Sequence, residues 1–597
     1  MNEQGILHMP DSKYCFPLDT HTLVLRLRVD RKDRVEKAEV IYESKYEIYG
    51  RQQTLLMERK YEDRLYAYYE AVLSLKDVRL AYVFRIWEDN KGYYFSEDGL
   101  SETYNFALGY YNFFQLPYIN AVDVHEEAAW MRSAVFYEIF VDRFCSGTDI
   151  AQKKHITLKW GDKPKPKGLA GGDLKGIMSK LDYLKELGVN ALYLTPIFCS
   201  ISNHKYDISD YYNIDAQFGT NADFKMLVDE AHKKGIRIVL DAVFNHCSEL
   251  LPQFQDVLKH GKKSPYFDWF LIDGDSPDGD ALNYEVFAFC SYMPKLNTSN
   301  SSVQEFLADI AVYWIEQYDI DGWRLDVSDE ISHDFWRMFR KKVRAAKKDC
   351  VIIGENWHDA NSFLQGEQYD GIMNYAFTKA CLDYYAFEVF GAQDFAWKLN
   401  QLLMRNTMQV NNMMLNLLDS HDTDRFYTSV KKDKDKVLSA IAVMCMFVGA
   451  PCIYYGTEIP LEGGYDPDNR RCFDWDSTHW DKTYRELLQR LLGLRGEKEV
   501  QKGEVRIWAQ KDLFLLSRAS EENEIVLMVN QSGKSLDVEF EGTVMIKNHF
   551  ESKTVNQPGL WGSLLSGGFM VIRGHSDTIQ LKERNMETLM IDNEKIV

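Results

Sequence analysis

The chain has 597 residues, more than one hydrophobic core usually organises, so about two to four domains are expected. A formal net charge of −20 argues against nucleic acid or an anionic membrane as a partner, because both are negatively charged. The sequence shows no signal peptide, no membrane-spanning stretch, and ten cysteines scattered without metal-site spacing. We therefore expect a cytoplasmic protein with reduced thiols that acts on a neutral ligand.

The first 118 residues have the pattern of an all-β domain. Apolar and polar positions alternate in short runs at 22–29, 38–42 and 80–87, as strands with one buried face do. Several such strands at short spacing indicate a β-sandwich. We predict an N-terminal β-sandwich over residues 1–118.

From residue 134 the pattern changes to short apolar runs separated by amphipathic helical stretches, such as the helix predicted over 174–187. The candidate strands are 134–137, 191–194, 236–240, 322–325, 351–353, 371–373, 414–417 and 452–455. Alternating strands and helices form a parallel sheet, and eight strands can close it into a barrel. We predict an α/β fold whose catalytic domain is a (β/α)8 TIM barrel, over residues 119–246 and 298–500.

Two further domains complete the prediction. The segment 247–297 is too long for a structureless loop inside a compact barrel, so we expect a small inserted domain there. After residue 500 the sequence returns to alternating β-type runs, which indicates a C-terminal β-sandwich over 501–597.

Three acidic residues, Asp326, Glu355 and Asp422, stand at or just beyond the ends of three candidate strands. In a parallel barrel the C-terminal strand ends meet at one mouth, so three carboxyl groups from different strands can surround one bond. Because the strands that carry Asp326 and Glu355 are neighbours, these two groups can lie about 5 Å apart, the spacing of a retaining glycosidase. Asp326 would then be the nucleophile and Glu355 the acid/base.

The neighbouring side chains fit this division of roles. Arg324 shares a strand face with Asp326 and should keep that carboxylate ionised, whereas crowding by other carboxylates should keep Glu355 protonated. His246 and His421, with Asp422, can hydrogen-bond sugar hydroxyls. Each residue alone has an ordinary structural interpretation, such as a helix cap or a surface charge. Their occurrence together in the correct strand order favours the catalytic interpretation.

Four segments built around these residues carry a family resemblance. They read Asp-Ala-Val-Phe-Asn-His at 241–246, Gly-Trp-Arg-Leu-Asp at 322–326, Gly-Glu-Asn-Trp at 354–357 and Ser-His-Asp at 420–422. The chain thereby resembles the α-amylase family, glycoside hydrolase family 13. The resemblance implies that Asp326 is the nucleophile, Glu355 the acid/base and Asp422 the third carboxylate.

A fifth segment, Met-Pro-Lys-Leu-Asn at 293–297, resembles the neopullulanase, cyclomaltodextrinase and maltogenic amylase subgroup, as does the domain layout. This resemblance implies substrate contacts, with Phe287 as an aromatic lid and Trp357 on the acceptor side. For those two rings ordinary packing stays an alternative. The implied substrate-binding residues are Tyr206, His246, Arg324, His421, Asp466, Arg470, Phe287 and Trp357.

The resemblance implies hydrolysis of α-1,4-glucosidic bonds in cyclomaltodextrins, maltooligosaccharides and also pullulan or starch, with some transglycosylation. It also implies a homodimer formed through the N-terminal domain. Two alternatives stay open: an α-1,6-glucosidase or glucosyl transferase on the same scaffold, and a noncatalytic glucan-binding protein. The segment 293–297 argues against the first, and the three carboxylates argue against the second.

Two departures from the family pattern bear on function. Ser328 and Asp329 replace the usual Ala and Asn after the nucleophile, near the expected acceptor subsites, which leaves α-1,6 cleavage open. The loop at 145–149 lacks the Asn-rich pattern that binds calcium in many relatives, although Asp173 is present. A hard cation needs six or more oxygens. A structural calcium stays open, but we expect no metal or other cofactor to be required.

Overall fold

The computed structural model describes residues 1–47, 52–553 and 560–582. The predicted domain ranges 1–118 and 501–597 include residues outside this part of the chain, namely 48–51, 554–559 and 583–597. Within the described ranges, no helix is both long enough and apolar enough to cross a lipid bilayer.

The N-terminal domain is an antiparallel sheet whose two halves face each other across one core. Alternate residues of Thr22–Asp30 and Tyr66–Ser74 pack against those of Val35–Ser44 and Leu80–Glu88, so the sheet folds into two layers. The remaining strands are Cys15–Pro17, Gln53–Glu62, Lys91–Ser96, Gly99–Ser101 and Phe114–Leu116. The predicted β-sandwich is confirmed.

The barrel has eight parallel strands, which lie where the sequence predicts them. They are β1 (Phe136–Ile139), β2 (Ala191–Leu194), β3 (Arg237–Ala242), β4 (Gly322–Leu325), β5 (Val351–Gly354), β6 (Gly371–Ile372), β7 (Leu415–Leu417) and β8 (Ala450–Tyr454). Ladders join β1 to β6 in chain order, β7 pairs with β8 and β8 with β1, and an isolated parallel bridge from Met373 to Leu415 links the two ends of the sheet. The predicted TIM barrel is confirmed.

Helices surround the barrel and bury their apolar faces against it. The longer ones are Asn221–Lys233, Ser301–Tyr318, His333–Ala346, Ala392–Leu403, Lys434–Met446 and Lys482–Gly493. Shorter helices are Val141–Phe144, Leu174–Ser179, Leu181–Leu187, Tyr375–Cys381, Met408–Asn412, Phe426–Ser429 and Lys498–Lys502. The sequence predicts one helix over 174–187, but the structure breaks it at Lys180, whose backbone leaves helical geometry.

The inserted segment after β3 contains the helix Pro252–His260 and a set of antiparallel bridges. One bridge joins Lys295 to His246, which connects the insertion directly to the end of β3. A two-stranded ribbon, Phe198–Ser200 with Ile208–Ile214, lies after β2. Both irregular segments follow C-terminal strand ends, where a barrel carries its active site.

The C-terminal domain is a seven-stranded sheet. Along Leu513–Ala519 the side chains alternate between a core inside the domain and the surface that packs on the barrel helices. The other strands are Glu504–Gln510, Glu524–Asn530, Leu536–Phe540, Thr543–Ser552, Leu560–Arg573 and Gln580–Lys582.

Candidate active site

The two central carboxyl groups come from adjacent strand ends. Leu325 of β4 pairs in register with Gly354 of β5, so Asp326 and Glu355 each stand one residue beyond a registered pair. The backbone N–H of Glu355 donates to the carbonyl of Leu325 at 2.9 Å, which extends the ladder to that residue. The barrel thus presents the two side chains side by side at its mouth.

One guanidinium group connects three carboxylates. Arg324 Nη1 lies 2.9 Å from Asp241 Oδ2 and 2.9 Å from Asp326 Oδ1, and Nη2 lies 2.8 Å from Glu355 Oε1. All four side chains are buried. This shared cation brings the carboxyls of Asp326 and Glu355 together, and Asp241 provides a third ionic contact that holds Arg324 in position.

Burial controls the protonation of this cluster. It raises the pKa of Asp326 well above its usual range, and Arg324 opposes the change. Burial also raises the pKa of Glu355, with Arg324 again opposing and Asp422 adding to the increase. The sequence predicts that Arg324 keeps Asp326 ionised, but desolvation has the larger effect on the pKa of Asp326. The two interacting carboxyls therefore titrate as a pair that holds on to a proton.

His421 organises the third carboxylate. Its Nδ1 lies 2.6 Å from Glu138 Oε1 on β1, and its Nε2 lies 3.1 Å from Asp422 Oδ2. Burial works to lower the pKa of His421, but Asp422 and Glu138 outweigh it and the pKa is raised. A charged imidazole between two carboxylates fixes Asp422 in place. Arg470 reaches the same carboxylate, with Nη2 3.5 Å from Asp422 Oδ1.

Tyr206 and Asp466 complete the polar lining. The Tyr206 hydroxyl donates to Asp241 Oδ2 at 3.0 Å and lies 2.6 Å from His421 Nε2, so it bridges the two halves of the cluster. Asp466 Oδ1 pairs with Arg470 Nη1 at 3.0 Å. Both side chains therefore have fixed orientations before any ligand binds.

Two buried polar atoms are left for a ligand. Among the described residues, neither His246 Nε2 nor Asp326 Oδ2 makes a hydrogen bond, and both are buried. Burial lowers the pKa of His246 to about 3, so its ring is neutral at ordinary pH. Since buried polar atoms rarely stay unsatisfied, these atoms have the character of sites for sugar hydroxyls or for the reacting carbon.

Two aromatic rings border the cavity. Phe287 stacks on His246 with ring centroids 4.6 Å apart, and Trp357 stacks on Tyr375 at 3.7 Å. Trp357 is 44% exposed, so one face of the indole is available to a ligand. Each ring is thus packed by its neighbour and also faces the cavity, which supports both interpretations offered for them.

A cavity of about 420 Å³ collects most of the predicted site. The predicted residues that line it are Asp326, Glu355, Asp422, Tyr206, His246, Phe287, Trp357, Asp466 and Arg470. Arg324 and His421 lie behind this surface and hold the carboxylates. Met293 and Asp329, from two segments that the sequence analysis singled out, also line the cavity, and the lining residues that the sequence did not indicate are His204, Cys290, Tyr292 and Val327.

Sequence reasoning also missed two supporting acids, Glu138 and Asp241. Both lie inside barrel strands and both are buried. A carboxylate within an apolar strand is the signal that could have identified them, because buried charges are almost always paired.

The residues after Asp326 have separate positions. Asp329 lines the cavity, but Ser328 is buried and donates through Oγ to the Glu355 carbonyl at 2.7 Å. Of the two residues, Asp329 faces the cavity and Ser328 does not. Val327 adopts a left-handed backbone with φ of 44°, and its N–H donates to Glu355 Oε2 at 2.9 Å.

The segment 293–297 supports the site from the inserted domain. Lys295 forms an ion pair with Glu330 Oε2 at 2.9 Å and donates to the Asn245 side chain. The backbone N–H of Leu296 donates to the Asn245 carbonyl at 2.9 Å. These contacts fix the backbone just before His246.

A lysine ammonium group lies beside Asp173, in the region where the family resemblance places calcium in many relatives. Lys153 Nζ donates to the Gly171 carbonyl and to Asp173 Oδ2, both at 2.6 Å. Asp173 Oδ1 accepts the backbone N–H groups of Gly147 at 2.8 Å and Gly176 at 2.6 Å. An ammonium group therefore takes the place next to the carboxylate and carbonyl that a metal would need. Across the described ranges, no cluster of three or more His, Cys, Asp or Glu side chains has metal-binding geometry.

Comparisons with known proteins agree with this architecture. The sequence model of the α-amylase catalytic domain family matches residues 138–489. The sequence model of the α-amylase N-terminal Ig-like domain family matches residues 1–120. The chain is 39% identical over 538 residues to a cyclomaltodextrinase from Thermoanaerobacter pseudethanolicus (strain ATCC 33223 / 39E), covering 89% of this chain and 93% of that one.

Two further comparisons point the same way. An intracellular maltogenic amylase from Bacillus subtilis is 39% identical over 545 residues, covering 89% and 91% of the two chains. A solved structure of a cyclomaltodextrinase superposes with a TM-score of 0.89 at 34% identity, covering 96% of this chain and 100% of that one. The chain is thus a glycoside hydrolase that belongs to the α-amylase family, in the subgroup of cyclomaltodextrinases, maltogenic amylases and neopullulanases.

Proposed function

We propose that the enzyme hydrolyses α-1,4-glucosidic bonds with retention of configuration, using Asp326 as nucleophile and Glu355 as acid/base. The observation that supports this best is the shared contact of both carboxyls with Arg324, at 2.9 and 2.8 Å, inside one cavity. Two carboxyls that contact one guanidinium lie close together, and a double displacement requires carboxyls about 5 Å apart.

In the first step, a carboxylate oxygen of Asp326 forms a bond to the anomeric carbon while the bond to the leaving oxygen breaks. Glu355 transfers its proton to that oxygen, so the departing sugar leaves as an alcohol. Asp422, which His421 holds in place, stabilises the positive charge that develops on the ring. The buried pair begins the step with one proton, which this assignment places on Glu355.

In the second step, water enters on the side that the leaving sugar has vacated. Glu355, now ionised, accepts a proton from the water, whose oxygen forms a bond to the anomeric carbon as the bond to Asp326 breaks. Two inversions at one carbon give net retention. A sugar hydroxyl in place of water gives transglycosylation by the same route.

We propose short and cyclic glucans as the preferred substrates, because the relatives of similar length include cyclomaltodextrinases and Phe287, Tyr292 and Met293 of the inserted segment form part of the cavity wall. We expect the initial rate on β-cyclodextrin to exceed that on soluble starch by about tenfold or more, with pullulan between them and isomaltose resistant. A reducing-end assay measures the rates. NMR identifies the anomer that is released first. Release of the β-anomer, or equal rates on isomaltose and β-cyclodextrin, would contradict the proposal.

We also propose that no calcium is needed at Asp173, since Lys153 supplies the positive charge there. EDTA is then expected to leave the Tm unchanged. Replacing Lys153 by Met removes a charge-assisted contact to a buried carboxylate and should cost about 1.5–3 kcal/mol of stability. Added calcium should recover part of that loss in the variant alone.

Lys154→Met is the matched control for this test, because Lys154 is the exposed neighbour and has no ion-pair partner among the described residues. Thermal unfolding with and without calcium distinguishes the variants. A drop in the wild-type Tm on adding EDTA would show that a metal binds despite the lysine.

The N-terminal domain supports the proposed homodimer through an exposed apolar group. Leu108, Tyr110 and Tyr111 lie on one short 3-10 helix, Phe106–Tyr111, with exposures of 59%, 62% and 84%. Apolar side chains exposed together are typical of protein interfaces. Analytical ultracentrifugation of the wild type and of a Tyr111→Glu variant tests this assignment.

A cytoplasmic location is proposed on two grounds. All ten cysteines have free thiols and eight of them are buried, which suits a reducing compartment. A relative that matches 89% of this chain is named as intracellular. Comparing activity in washed-cell lysate with that in the growth medium tests the location.

A further inference from the structure

A second cavity, with its own set of lining residues, lies where the N-terminal domain, the barrel and the C-terminal domain meet. We call it the junction cavity. It has a volume of about 240 Å³. Its walls come from the N-terminal strands Thr22–Asp30, Gln53–Glu62 and Tyr66–Ser74, the barrel helices Ala392–Leu403 and Met408–Asn412, and the C-terminal strands Glu504–Gln510 and Leu513–Ala519. It shares no residue with the catalytic cavity.

The lining of the junction cavity is cationic. It contains five positive side chains, Arg26, Lys60, Arg132, Lys502 and Arg518, and only two carboxylates, Glu70 and Glu504. In a chain whose net charge is −20, two cations without a carboxylate partner at one cavity, Lys502 and Arg518, are the reverse of the overall balance among the described residues.

Three of these cations are paired. Arg26 Nε lies 2.8 Å from Glu70 Oε1, Lys60 forms an ion pair with Glu504, and Arg132 Nη2 lies 2.8 Å from Glu127 Oε2. For Lys502 and Arg518, by contrast, the described part of the chain provides no carboxylate within ion-pair distance.

Arg518 is the central observation, because it is only 3% exposed. Its Nε donates to the Gly503 carbonyl at 3.2 Å and its Nη1 to the Met446 carbonyl at 3.2 Å, whereas Nη2 has no hydrogen-bond acceptor among the described residues. Burial lowers the pKa of Arg518 to about 9, and the nearby cations Arg495 and Arg132 add to the effect. A buried guanidinium among other cations, with donors to spare, needs an anion to balance it.

We propose that the junction cavity is a binding site for a small phosphate-bearing solute, held by Arg518 and Lys502. A guanidinium presents two parallel N–H donors that match the oxygens of a phosphate, and a dianion matches the charge excess. The small volume excludes nucleic acid and leaves room for inorganic phosphate or a hexose phosphate. Since the walls belong to three domains, a bound anion would hold those domains together.

The proposal is tested by titrating the full-length protein with inorganic phosphate and with glucose 6-phosphate at constant ionic strength, with glucose as the uncharged comparison. Calorimetry gives the Kd, and thermal unfolding gives the shift in Tm. We expect saturable binding of one anion per chain, a raised Tm and no effect of glucose. Tighter binding of glucose 6-phosphate than of phosphate would identify a sugar phosphate as the ligand, and the reverse order would identify free phosphate.

The variants Lys502→Gln and Arg518→Gln separate this site from nonspecific attraction. Lys498→Gln is the matched control, because Lys498 lies on the same short helix, is exposed, does not line the cavity and changes the net charge equally. We expect the Kd to rise about threefold to tenfold in Lys502→Gln and at least about tenfold in Arg518→Gln, with Lys498→Gln unchanged.

If Arg518→Gln fails to fold, because its backbone contacts are lost, the comparison of Lys502→Gln with Lys498→Gln still decides the matter. The absence of saturable binding to the wild type would overturn the proposal. Equal affinity in Lys502→Gln and Lys498→Gln would overturn it as well.

Discussion

Replacing Asp326 by Asn is expected to reduce kcat/KM on β-cyclodextrin by at least about 10⁴-fold. The amide has no charge and is a poor nucleophile, so the covalent intermediate cannot form. Because Asn keeps the shape of the side chain, the variant should remain folded, and circular dichroism checks this.

Asp334→Asn is the matched control for Asp326→Asn. Asp334 lies eight residues further along the chain, is exposed on the first turn of His333–Ala346 and undergoes the same change in charge. Its activity should match the wild type. If Asp326→Asn kept more than about a tenth of wild-type activity, another group would have to be the nucleophile.

Replacing Glu355 by Gln is expected to produce a loss that depends on the leaving group. On β-cyclodextrin, whose leaving oxygen needs a proton, kcat should fall by about 10²–10⁴-fold. On maltosyl fluoride the first step needs no acid, so it should proceed. The second step then lacks its base, and the sugar should accumulate as an ester on Asp326, detectable by mass spectrometry.

The same variant gives a test in pH. Burial raises the pKa of Glu355 above its usual value, and the acid must be protonated to act. Wild-type activity on β-cyclodextrin should therefore fall as the pH rises through this pKa, while formation of the ester in Glu355→Gln should lack that decline. Glu316→Gln, an exposed glutamate on Ser301–Tyr318, is the control. Glu355 is not the acid/base if Glu355→Gln forms no ester, or if it hydrolyses β-cyclodextrin normally.

The sequence predicts the barrel well because its information is local. Each strand is a short apolar run, and the acids at the ends of β4 and β5 follow directly from strand position. The break at Lys180 could not be predicted, since the apolar spacing of Leu174 to Leu187 continues across it without interruption.

Contacts between distant parts of the chain account for the rest. Lys153 and Asp173 are twenty residues apart, and neither looks unusual in its own segment. Arg26 and Arg518 approach the same cavity from opposite ends of the sequence. Such side chains come together only when the domains pack, and the spacing of apolar residues along the sequence does not predict that packing.

The backbone of Val327 has a consequence for how the two catalytic groups respond to disturbance. A β-branched residue at φ of 44° costs about 1–3 kcal/mol, so its surroundings must impose this conformation. The N–H of Val327 donates a hydrogen bond to the carboxyl of Glu355, and Val327 is covalently joined to Asp326, the residue before it. A shift at the end of β4 therefore moves Asp326 and Glu355 together. The nucleophile and the proton donor keep their relative alignment for this reason.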